Sequence, residues 1–132
     1  MQIQKAKPVR LSKHSNVILT TIPESWDVGI LGSITEPITK GTTPTTEGDS
    51  FTDQGVLFFK AESFDDEGNI DLNKCAHIAE KTHAKLRRSQ LQPNDILFTI
   101  AGTLGRICRI QQEHVPSNTN QAIAIIRVND PS

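Results

Sequence analysis

Long apolar runs are missing from this 132-residue chain. Its apolar stretches are strand-sized pieces such as Asp95-Ile-Leu-Phe-Thr-Ile-Ala101, far below the roughly 18 consecutive apolar residues a membrane span requires, so no transmembrane segment is expected. The first twenty residues interleave Lys5, Lys7, Arg10 and Lys13 with polar groups. They lack the unbroken apolar stretch of a secretory signal, and a cytoplasmic product is expected. Cysteine is scarce: Cys75 and Cys108 have no second Cys or His at metal-binding spacing and form no disulfide framework, so both read as reduced, semi-buried thiols. Neither sign of charge is in excess. With 14 Lys and Arg against 15 Asp and Glu, the chain is neither a polybasic nucleic-acid arm nor an acidic disordered tail.

What is present suits one domain. The chain is 36% hydrophobic, enough for one modest core and too short for two full domains. Residues 1–21, around Val9-Arg-Leu11 and Val17-Ile-Leu19, read as an arm or short strand, because Pro8 argues against a helix. Residues 22–132 read as the domain. Trp26, the single tryptophan, is expected to anchor the core, and Leu31-Gly32 to pack. From Pro37 to Gly55 the composition turns to Thr, Gly, Pro and Asp, which is loop chemistry. Gly55-Val-Leu-Phe-Phe-Lys60 reads as a buried strand with a basic exit, and Asp65-Asp-Glu-Gly-Asn69 as an acidic turn.

Good helix formers before Pro93 predict one short helix over about 80–89. Asp95 to Ala101 and Arg106 to Gln111 read as a hairpin around Gly102-Thr-Leu-Gly105, and Asn118-Thr-Asn-Gln121 as a polar entry to a last strand over Ala122 to Arg127. Strands outnumber helices and follow one another without helices between them. The expected class is therefore α+β, a mostly antiparallel twisted sheet with one or two short helices.

The charges nearly cancel but are segregated along the chain. Nine acidic residues (Glu36, Glu47, Asp49, Asp53, Glu62, Asp65, Asp66, Glu67, Asp71) face two basic ones, Lys40 and Lys60, in residues 36–71. Residues 74–109 reverse this, with Lys74, Lys81, Lys85, Arg87, Arg88, Arg106 and Arg109 against Glu80 and Asp95. The densest cluster is Lys85-Leu-Arg-Arg-Ser89. Cations at a helix end suit its dipole, and two guanidinium forks with a serine hydroxyl also suit phosphate; both readings can hold together.

Gly102-Thr-Leu-Gly105-Arg106 lacks the Gly-Lys-Ser/Thr ending and the strand-to-helix context of a nucleotide loop. It is a hairpin tip by default, and a close approach to a nucleic-acid backbone is the sharper alternative. The carboxamides Asn118, Asn120 and Gln121 suit turn hydrogen bonds, and can also pair with the edge of adenine. Catalysis finds little support. His14, His77, His83 and His114 are scattered, no serine sits in a Gly-x-Ser-x-Gly elbow, and Asp65, Asp66 and Glu67 lack calcium-loop spacing.

In order along residues 22–127, Ile22-Pro-Glu-Ser-Trp26 with Leu31-Gly32, Gly41-Thr-Thr-Pro44, Lys85-Leu-Arg-Arg-Ser89, Pro93-Asn-Asp-Ile-Leu-Phe-Thr99, Ala101-Gly-Thr-Leu-Gly-Arg106 and Asn118-Thr-Asn-Gln121 form one pattern. It resembles the target recognition domain of type I restriction-modification specificity subunits. The resemblance implies a DNA-reading module without catalysis or cofactor of its own, with S-adenosylmethionine on a partner methyltransferase (M) subunit and cleavage on a restriction (R) subunit. Its partners would be double-stranded DNA and those subunits. An alternative is a truncated remnant that associates with another subunit without binding DNA.

The chain departs from the family in having room for one recognition domain and no long helices that separate a pair. Carried onto this sequence, with Lys60 added from the basic strand exit, the resemblance implies DNA contacts at Lys40, Thr42, Thr43, Lys60, Lys85, Arg87, Arg88, Ser89, Thr103, Arg106, Asn118, Asn120 and Gln121.

Overall fold

A computed structural model describes residues 6–8 and 21–129. The segments around Val9-Arg-Leu11 and Val17-Ile-Leu19, and His14, lie outside the described residues. The chain divides into two compact units, one through Ser33 and one from Ile34 onward.

In the first unit β1 (Ala6–Pro8) pairs antiparallel with β2 (Thr21–Pro23), with Lys7 opposite Ile22. A turn closed by Trp26 N–H donating to Pro23 O leads to a single helical turn, α1 (Leu31–Ile34). Here two expectations fail. Trp26 is 60% exposed rather than a core anchor, and Leu31 is exposed too. Among the described residues of this unit, a three-residue ladder and a tight turn provide no second layer to bury an indole against.

The second unit holds two sheets. One is four-stranded and antiparallel, in the order β3 (Thr39–Lys40), β9 (Ile123–Ile126), β6 (Ile96–Thr99), β7 (Ile107–Arg109). The other runs β5 (Ala76–Ile78), β4 (Val56–Phe59), β8 (Ser117–Thr119), with β4 and β5 antiparallel and β4 and β8 parallel. The α+β class and the predominance of antiparallel pairing follow the sequence; the parallel strand over the amide-rich segment does not, because its partner is some sixty residues away.

Strand β4 joins two cores. Successive side chains of a strand face opposite ways. Phe59, with Leu57 beside it, therefore packs with Phe64, Leu91, Leu97, Cys108, Ile110, Ile123 and Ile125, while Val56 and Phe58 pack with Ile78 and Leu86. Both phenylalanines are fully buried, each stabilising by roughly 2–3 kcal/mol. Cys108 is buried and Cys75 half-buried, both as free thiols; burial pushes the Cys108 thiol up to about 12 and raises that of Cys75 as well.

The expected helix over 80–89 divides. α2 (Glu80–Lys85) is followed, after Leu86, by a 3-10 turn over Arg87–Ser89. The break falls at Leu86, whose ψ of 55° leaves the helical range; His83 O accepts from Gln90 Nε2 at 2.9 Å instead of from Arg87 N–H, while Leu86 O accepts from Asn118 Nδ2 at 3.1 Å and from Ser89 N at 3.3 Å. The acidic turn forms as read, with Asp65 Oδ1 accepting from Glu67 N and Asn69 N.

Candidate nucleic-acid interface

The register of the four-stranded sheet gathers three loops at one end. Lys40, the last residue of β3, lies opposite Ala124; Ile123, the first residue of β9, lies opposite Thr99, the last of β6. The loop after Lys40, the tip after Thr99 and the segment Asn120–Ala122 therefore leave or enter the sheet together. At the tip, Gly102 and Gly105 adopt positive φ, and Gly105 N and Arg106 N bond to Thr99 O and Oγ1. Thr103 is exposed on this tip.

Gly41 is needed at its position for steric reasons. A Cβ there would collide with the backbone of Thr119 and Asn120, because Thr42 N–H donates to Thr119 O at 3.1 Å and Gly41 N–H to Ile123 O at 3.2 Å. The loop lies flat on the start of β9. This places Thr43 Oγ1 where it donates to Gln121 Oε1 at 3.3 Å, and Thr42 Oγ1 where it accepts from Arg88 Nη2 at 3.2 Å. Lys40, Thr42, Thr43, Arg88 and Gln121 thus share one neighbourhood. Arg87 lies next to Arg88 in an adjoining cleft of about 300 Å³, lined also by Glu36, Pro37, Thr39, Ile125 and Arg127. Lys40, Arg87 and Arg88 are exposed and make no ion pair with any described residue.

Other expected contact residues are spent internally. Ser89 and Asn118 are fully buried and present no surface to a ligand, which corrects their place among the contact residues. Asn118 Oδ1 accepts from Ser89 Oγ and Thr119 N, and its Nδ2 donates to Leu86 O and lies 3.1 Å from His83 Nδ1. Its amide holds the arginine-bearing turn against β8. Burial lowers the His83 pKa, which keeps the ring neutral and able to accept from Asn118.

Arg106 turns away from the loops: its Nε meets Asp66 Oδ1 at 2.9 Å and its Nη1 donates to Ala61 O at 3.1 Å. Lys60 pairs with Glu62 at 3.1 Å and Lys85 with Asp49 at 3.0 Å. Asn120 Oδ1 accepts from Ala122 N, a turn bond. The acidic segment, separate in sequence, folds back onto part of the basic block and neutralises it.

The sequence reading missed Arg127, Ile38 and Ile100. Arg127 directly follows β9 and forks onto Asp95, with Nε to Oδ1 at 2.8 Å and Nη2 to Oδ2 at 2.7 Å, beside Arg87 and Arg88. Its position at a strand end was the available signal. Ile38 and Ile100 are apolar residues next to strand ends, indistinguishable in sequence from core. Among the described residues no group of three or more His, Cys, Asp or Glu gathers where it could hold a metal ion, and no helix is long and apolar enough to cross a membrane.

A small antiparallel-rich domain that brings exposed cations and a carboxamide to one end of a sheet has the build of a recognition module, and the chain belongs to the type I restriction-modification specificity subunits, as a target recognition domain. It is 32% identical over 111 residues, 82% of its own length, to the type I restriction enzyme EcoBI specificity subunit of Escherichia coli. It spans 22% of that relative's length. No family model matches the chain.

Proposed function

We propose that this domain reads one half of a split duplex DNA target for a type I restriction-modification complex in the cytoplasm, without catalysis of its own. Methylation from S-adenosylmethionine and cleavage then reside on partner M and R subunits. The observation that carries the reading is the convergence of Lys40, Arg88 and Gln121 at one end of the four-stranded sheet, with Arg87 beside Arg88 in the adjoining cleft and no carboxylate paired to the three cations among the described residues. Phosphate contacts from the cations set register, and Gln121, Thr42 and Thr43 supply directional donors and acceptors toward base edges. Thr103 on the tip and Asn120 beside Gln121 stand next to them.

Roughly three phosphate contacts predict an affinity that falls about fortyfold over a fourfold rise in salt. Titrating duplex DNA at two salt concentrations tests this, and affinity indifferent to salt would overturn it. A second reading, association with another subunit without DNA binding, draws on the exposed Trp26, Val28, Ile30 and Leu31 of the first unit. It predicts a chain that co-purifies with a complementary subunit and shows no salt-sensitive DNA affinity.

A further inference from the structure

Beside the cations lies a shallow groove of about 550 Å³, lined by Ile38, Thr39, Lys40, Arg88, Ile100 and Ala124. Ile38 is 47% exposed and Ile100 43% exposed. Single exposed isoleucines are ordinary on protein surfaces, but here two belong to one concavity whose other walls are a lysine and an arginine. No acidic residue lines it. The Arg88 guanidinium is steadied by Thr42 at 3.2 Å, so cation and apolar floor keep a fixed relation.

Such a surface complements an anionic polymer that displays a small apolar group between its phosphates. On the edges of duplex DNA that group is the C5-methyl of thymine, exposed in the major groove. We propose that this groove takes the methyl-bearing edge of a thymine, and that Ile38 and Ile100 are specificity determinants for an A·T pair in the half-site. The inference rests on the DNA-reading proposal above and adds the base it discriminates.

The test uses the full 132-residue chain. A randomised duplex pool is selected at low salt, and each thymine of the enriched sequence is then replaced in turn by deoxyuridine, which removes the methyl and keeps every hydrogen-bonding group. The expected result is one position at which deoxyuridine weakens wild-type binding about fourfold, the factor for one buried methyl-sized group. That sensitivity should disappear in Ile38→Ala/Ile100→Ala and persist in Ile107→Ala, which alters an equally exposed isoleucine outside the groove. If the double variant melts early, Ile38→Val and Ile100→Val keep the fold and should each reduce the sensitivity. An enriched sequence without thymine, indifference to deoxyuridine at every position, or sensitivity unchanged in the groove variants would each overturn the inference while leaving DNA reading intact. A wild-type pool that enriches nothing overturns DNA reading itself, and this inference with it.

Discussion

The Ser89 hydroxyl donates to Asn118 Oδ1 at 2.6 Å in the interior, 29 residues away along the chain. Asn118 is also bonded to Thr119 N and Leu86 O, so its buried amide fastens the Arg87–Ser89 turn to β8. Replacing Asn118 by leucine leaves several of these partners buried and unpaired. The expected loss of unfolding free energy is about 3 kcal/mol, against about 1 kcal/mol for Ser89→Ala, where Oδ1 keeps Thr119 N. Urea denaturation of both variants measures the order; a smaller loss for Asn118→Leu than for Ser89→Ala would contradict the network.

His83 makes stability depend on pH in a defined direction. Its folded pKa lies below 6.5 because burial disfavours the imidazolium. The unfolded chain therefore takes the proton first. Stability is complete above the unfolded value and declines as pH falls through 6.5 toward the folded value. The carboxylates of Glu62 and Asp65, whose pKa values are lowered chiefly by backbone hydrogen bonds, act at more acidic pH, below their ordinary 4.5 and 3.8. Urea midpoints between pH 7.5 and about 5 should drop in the wild type and flatten in His83→Gln. An equal drop in both would assign the effect elsewhere.

Arg127 forks onto Asp95, which is 1% exposed and also accepts from Gln92 N at 2.8 Å. Arg127→Met strands a buried carboxylate and is expected to cost about 3 kcal/mol, near the low end for such pairs because part of the guanidinium remains in water. Adding Asp95→Asn should recover part of that loss. A double-mutant cycle by chemical denaturation checks it, and strict additivity would mean that the two groups are not coupled.

Gly41→Ala sets a Cβ against the carbonyl groups of Thr119 and Asn120. Backbone cannot swing aside as a side chain can, so the Lys40–Thr43 loop must lift from β9. The expected outcome is a loss of about 2 kcal/mol or more, from overpacking and the loop hydrogen bonds together. A melting temperature equal to wild type would show that the close approach is not maintained in solution.

Within the DNA-reading proposal the arginines are unequal. Arg87→Ala/Arg88→Ala should weaken duplex binding and reduce the slope of log affinity against log salt by about 1.8, two contacts' worth. Arg106→Ala should change the slope little, because its guanidinium is already held by Asp66 and Ala61 O. Salt titrations of the variants distinguish them, and equal slopes for Arg87→Ala/Arg88→Ala and wild type would remove these residues from the interface.

The sequence by itself determined the elements whose cause is local. Val56–Phe59, Ile96–Thr99 and Ile123–Ile126 are short β-prone runs bounded by Gly, Pro or Asn, and the Asp65 turn is built from its own side chain. Their order carried the α+β class, while the family resemblance rests on the ordered motifs from Ile22-Pro-Glu-Ser-Trp26 to Asn118-Thr-Asn-Gln121. Only tertiary structure decided which polar residues face outward, because a hydrogen-bonding group looks the same in sequence whether water or a distant partner satisfies it. Asn118 and Ser89 satisfy each other inside, Arg106 meets a carboxylate 40 residues away, and the linear separation of acidic from basic residues is partly folded away. Lys40, Arg87 and Arg88 stay exposed among the described residues, since the carboxylates folded back onto the basic block meet other partners. Trp26 reverses the same rule: a large apolar side chain is buried only where the chain supplies a second layer to cover it.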